Sequence, residues 1–103
     1  MEIIHFNEES FKDAIVSKKK VLVDFYATWC GPCKMLAPVL EEVRKEASED
    51  IIIGKVDVDE CFEIARSFGV LSVPTLILFD VSGEEIKRSI GLKPKQAILD
   101  LLK

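Results

Sequence analysis

The run VLVDFYA, Val21 to Ala27, is apolar at every position except Asp24. A strand with one wet face alternates apolar and polar residues, whereas an unbroken apolar run of this length reads as a strand covered on both faces. Whatever surrounds it must therefore form two layers. The remaining patterns supply them. Glu2 to His5 reads as a short strand, and Asn7 offers a side-chain cap for a helix through Phe11, Ile15 and Val16 that Lys18 to Lys20 closes. Met35, Leu36, Val39, Leu40 and Val43 recur at helical spacing, with a kink expected at Pro38 because its ring removes a backbone donor. Ile51 to Val58 reads as a strand and Cys61 to Phe68 as a short helix ended by Gly69. Thr75 to Phe79 and Glu84 to Ile90 read as two strands joined through Asp80-Val81-Ser82-Gly83, and a last helix follows Pro94 through Ile98 and Leu102. The order β-α-β-α-β-α-β-β-α predicts one α/β domain over residues 1–103: a three-layer α/β/α sandwich around a mixed sheet, parallel where helices cross over and antiparallel at the last hairpin.

Charge excludes some functions. A net charge of -4 disfavours a protein that holds a phosphate backbone, since such binding rests on Lys and Arg displacing counterions. No apolar stretch reaches the roughly 18 to 20 residues that cross a bilayer, and MEIIHFNEES lacks the order of a signal peptide. A cytoplasmic monomer without nucleic-acid or membrane partners is the expectation.

Directly after the apolar run comes TWCGPCK, with Cys30 and Cys33 around Gly-Pro. Cys30 falls where the strand turns into a helix, beside unpaired backbone N–H groups and the positive end of the helix dipole, and both favour the thiolate. Cys33 lies nearly one turn further on the same face. Three readings meet here. A structural staple gains little, because the entropy removed from the unfolded chain grows with loop length and this loop is very short. A Cys3His zinc site would need Cys61 and His5, yet neither brings the closely spaced second pair from which such sites usually draw ligands. The third reading is a redox reagent, with Pro32 fitted to the first helical turn, where its missing N–H costs nothing.

The stretch VLVDFYATWCGPCKMLAP resembles the active-site strand and helix of the thioredoxin family. GKVDVDE, GVLSVPT, LFDVSGEEI and IGLKPK resemble later segments of that family in the same order, over essentially the whole chain. The resemblance implies a thioredoxin-like fold and a thiol–disulfide oxidoreductase that reduces protein disulfides without a cofactor. In it, an exposed Cys30 attacks the substrate and Cys33 resolves the mixed disulfide. A thioredoxin reductase would supply the electrons, and no Gly-rich nucleotide motif appears here to replace one.

The same resemblance assigns further roles. Pattern alone leaves Asp24 either facing water at a strand end or buried with a raised pKa; the family match makes it the proton partner of Cys33. Lys55 reads from pattern as an edge-strand charge, and from the match as a lysine near Asp24 that modulates it. Pro74 matches a cis-proline loop, which would leave the Val73 backbone open to a substrate segment added as a strand. Trp29, Gly31, Pro32, Val58, Gly91 and Leu92 complete the implied docking surface. Cys61 reads as a small buried hydrophobe and His5 as a surface residue. A binding subunit that uses the same surface without catalysis is the alternative in another class.

Overall fold

The computed structural model describes residues 2–103. Its elements are β1 (Ile4–His5), α1 (Glu8–Ile15), β2 (Val21–Tyr26), α2 (Gly31–Glu46), β3 (Ile52–Asp57), α3 (Phe62–Ser67), β4 (Thr75–Phe79), β5 (Glu85–Ile90) and α4 (Lys95–Leu101). The order is the one the sequence patterns predict, with ends shifted by a residue or two. β1 is the shortest: only Ile4 and His5 pair, with Gly54 and Lys55, on a strand that has a single neighbour. Asn7 caps α1 as expected, its Oδ1 accepting from the Ser10 N–H at 2.8 Å while its own N–H donates to the Ser10 hydroxyl at 2.9 Å. Pro38 lies inside α2, which continues to Glu46 as one helix.

Five strands form one sheet in the order β1-β3-β2-β4-β5, which puts β2 in the middle. Successive side chains of a strand point to opposite faces, and the two faces of β2 are both dry. Val21, Val23 and Phe25 join Phe11 and Ala14 of α1 and Ile64 and Ala65 of α3. Leu22 joins Leu36, Leu40 and Val43 of α2 and Ile98 of α4 on the other face. This is the three-layer sandwich that an apolar run without alternation demands.

One topological expectation is corrected. The helix-linked strands β1, β3 and β2 pair in parallel, but β4 pairs antiparallel to β2 although α3 connects it from β3. The reason is reach. A six-residue helix such as α3 spans about 9 Å, whereas the six-residue strand β3 covers about 20 Å. α3 is too short to carry the chain back along the strand as a crossover helix would, and β4 starts at the end of the sheet where β3 stopped and runs back.

Candidate active site

The strand-to-helix junction after β2 presents the cysteine pair. Cys30 is the N-cap of α2, in extended backbone, and its Sγ accepts from the Cys33 N–H at 3.2 Å. Gly31 and Pro32 form the start of the helix, and both are exposed. Cys30 and Cys33 are joined in a disulfide, with Cα atoms 5.3 Å apart. From across the junction, the loop before β4 brings the Val73 carbonyl oxygen to 3.7 Å from the Cys30 Sγ. The Val73–Pro74 peptide is cis.

The expectation of an exposed Cys30 is corrected. Only 5% of Cys30 and 3% of Cys33 is accessible, because Ala27, Tyr26, Val58 and Val73 pack around the pair. The sequence neighbours of Cys30 are open, but Val58 and Val73 close over it from elsewhere in the chain. Trp29 is exposed, its indole Nε1–H donating to Asp59 Oδ2 at 2.9 Å. Asp59 is itself located by Asp57, whose Oδ1 accepts from the Asp59 N–H at 2.8 Å. Val58 and Val73 are half-buried and Pro74 is buried. Gly91 adopts φ of 93°, and its N–H donates to the Pro74 carbonyl at 2.8 Å, which ties the end of β5 to this loop. Leu92 is exposed and lines a shallow apolar groove with Met35, Val39 and Pro94, beside the helix start.

Six residues before Cys30 on β2, Asp24 is fully buried, and neither of its carboxylate oxygens has a hydrogen-bond partner among the described residues. An isolated charge there lacks solvation, so burial pushes its pKa up to about 6, with the Lys55 ammonium pulling the other way. Lys55 stands directly opposite Asp24 in the β2–β3 register. Because β3 lies between β1 and β2, Lys55 is not on an edge strand, contrary to its pattern. Its Nζ rests 4.5 Å from the centroid of the Tyr26 ring.

The four soft residues of the zinc reading are not brought together. His5 is exposed on β1, and Cys61 is buried among Phe6, Phe11 and Ile64, its Sγ 3.9 Å from the Phe6 carbonyl. Among the described residues no three His, Cys, Asp or Glu side chains are grouped to hold a metal ion. Burial, then the charges of Glu60, Glu8 and Asp57, push the Cys61 thiol up and away from thiolate. Two residues of the site escaped sequence reasoning. Tyr26 was absorbed into the apolar run, and Asp59 is one of several acids in VDVDE with nothing local to distinguish it.

A short-loop disulfide at a helix N-terminus, carried on a mixed α/β/α sheet whose central strand buries a carboxyl, is the arrangement of a thiol–disulfide oxidoreductase. A family model described as Thioredoxin matches residues 2–103. The chain belongs to the thioredoxin family. It is 56% identical over 87 residues to the thioredoxin of Mycobacterium tuberculosis, covering 84% of this chain and 74% of that one. It is 54% identical over 89 residues to a bifunctional thioredoxin reductase/thioredoxin of Mycobacterium leprae, covering 86% of this chain and 19% of that one. Among solved structures, a mutant thioredoxin from Halobacterium salinarum superposes with a TM-score of 0.85 at 39% identity, over 96% of this chain and 85% of that one.

Proposed function

We propose that the chain works as a single domain that carries electron pairs to protein disulfides, with unequal roles for its two sulfurs. Cys30 is the attacking thiolate, as its place at the helix N-cap favours the charged form. It attacks one sulfur of the substrate disulfide; that bond breaks, a Cys30–substrate disulfide forms, and the first substrate thiolate leaves and takes a proton from water. Cys33 then loses its proton to the Asp24 carboxylate and attacks the Cys30 sulfur. The Cys30–Cys33 disulfide forms, the second substrate thiolate leaves, and two electrons have passed to the substrate. Lys55 modulates Asp24 from the opposite strand. The observation that carries this reading is the Cys30–Cys33 disulfide at the N-cap of α2, on a strand that buries the Asp24 carboxyl without a hydrogen-bond partner among the described residues.

Substrates dock on Trp29, Gly31, Pro32, Val58, Gly91 and Leu92, with the Val73–Pro74 backbone pairing to an extended segment around the target cysteine. The electron donor is a thioredoxin reductase, a reading supported by the relative in which both activities share one chain. A reductant of this kind belongs where the thiol pool is reducing, so the cytoplasm is the proposed compartment.

Replacing Cys33 by Ser tests the assignment. The variant, reduced beforehand, should capture substrate proteins as disulfides through Cys30 from an extract whose free thiols are blocked and whose disulfides are intact, with release by dithiothreitol, while Cys30→Ser captures none. Capture that survives dithiothreitol, or that is equal in both variants, would mean a binding subunit instead.

A further inference from the structure

We propose that Tyr26 is a positioning residue, whose ring seats the Lys55 ammonium beside Asp24 and so governs how readily that carboxyl takes and gives up its proton. The placement follows from strand geometry. Asp24 and Tyr26 are two apart on β2 and share the face turned toward α2, and Lys55 lies opposite Asp24 on β3. Tyr26 is therefore the diagonal neighbour of Lys55, within reach of a long side chain. The ammonium takes that option: it sits over the ring, 4.5 Å from its centroid, while both Asp24 oxygens remain without a hydrogen-bond partner among the described residues.

A cation over an aromatic face is held by the ring quadrupole, and half-burial strengthens the attraction. Tyr26 and Lys55 are both half-buried. The seat keeps a positive charge near the carboxyl, where it opposes the effect of burial. An ammonium released into water would leave burial unopposed.

The other groups around these three are few. Leu76 of β4 stands opposite Asp24 and is uncharged, and α2 adds Leu36, Leu40 and the disulfide. His5 of β1 stands opposite Lys55 and is exposed. Asp57 stands opposite Tyr26, and burial, then the charges of Asp57, Glu60, Asp24 and Cys61, raise the phenol's own pKa, so Tyr26 stays neutral in the working range.

The consequence for catalysis rests on Asp24 as the proton partner of Cys33, but the test does not. In the oxidised protein neither active-site sulfur titrates, so carboxyl NMR follows Asp24 alone. Tyr26→Leu should raise the Asp24 midpoint, by less than Lys55→Met does; Tyr26→Phe should leave it in place; and Tyr26→Leu should add nothing in a Lys55→Met background. A midpoint that is unmoved or lowered in Tyr26→Leu, or that shifts equally with Lys55 already removed, overturns the proposal. Should Tyr26→Leu fail to fold, the Lys55 side-chain protons decide: upfield ring-current shifts in the wild type and in Tyr26→Phe support the seat, and random-coil shifts overturn it. The role of Asp24 in catalysis is read separately, from the pH dependence of mixed-disulfide resolution in Asp24→Asn.

Discussion

The indole of Trp29 is tied to the carboxylate of Asp59, thirty residues further along the chain, by a 2.9 Å hydrogen bond. Both residues are exposed, and the bond holds a large aromatic face open to solvent next to the cysteine pair. An untethered indole in that place would fold onto nearby apolar surface.

Asp59→Ala should therefore weaken substrate docking and leave the sulfur chemistry alone. An exposed hydrogen bond to a charged acceptor contributes about 1 kcal/mol, so KM for a protein disulfide should rise about five-fold at unchanged kcat. Asp59→Asn, which keeps the acceptor oxygen, should restore most of the loss. Steady-state reduction of one protein substrate measures both, and Trp29 fluorescence anisotropy reports the freed ring. A fall in kcat instead would contradict the tethering role.

Asp24 makes stability depend on pH in a stated direction. Its folded pKa of about 6 lies above the ordinary 3.8, so the folded state holds this proton more tightly than the unfolded chain does. Stability from this group is complete below pH 3.8 and is lost as pH rises through about 6. The loss is on the order of 3 kcal/mol by neutral pH. Asp24→Asn should be more stable than the wild type at pH 8, less different at pH 4, and flatter between them in urea titrations of the oxidised protein. Equal slopes for both proteins across that window would show that Asp24 is not the group responsible.

Gly54 has its own constraint. A Cβ at this position would overlap the Phe6 ring, which lies on the strand where β1 pairs. Gly54→Ala should cost about 1–3 kcal/mol by forced overpacking, with the active-site potential unchanged. Shortening the ring with Phe6→Leu in the same chain should return part of it, and a thermal melt of the single and double variants shows whether the two sites are coupled.

Arg88 on β5 clamps the far end of α3. Its guanidinium meets Glu85 in two contacts of 2.8 Å and donates to the Phe68 carbonyl at 2.6 Å and to the Gly69 carbonyl at 3.4 Å. The segment it holds leads into Val73. Arg88→Met should speed amide exchange at Gly69 and Val70, which donate to the Arg66 and Ala65 carbonyls, by about ten-fold, as losing a charge-assisted bond of roughly 1.5 kcal/mol would allow. Exchange that quickens equally throughout β2 would point to global destabilisation.

Local pattern carried far in this chain. VLVDFYA could only be a strand buried on both faces, and Cys30 could only sit at a helix start, because each of those statements concerns neighbours in sequence. What escaped were statements about distance. The direction of β4 depends on how far α3 can carry the chain, and the interior place of Lys55 depends on strand order. Cys30 is covered by Val58 and Val73, 28 and 43 residues further on, and nothing near TWCGPCK records either. The role of Tyr26 is hidden for a related reason: an aromatic inside an apolar run looks like filling until the opposite strand supplies a cation.

The sheet order also has a consequence for synthesis. β2 is paired on one side by β3, which follows it closely, and on the other by β4, whose residues are added some fifty positions later. Until Thr75 to Phe79 leave the ribosome, the central strand β2 has at least one bare edge and the cysteine pair has no Val73 over it. An exposed edge of this kind invites pairing with another chain. Nascent chains halted in that interval should be the stage most in need of a chaperone, and release of Thr75 to Phe79 the event that ends the need.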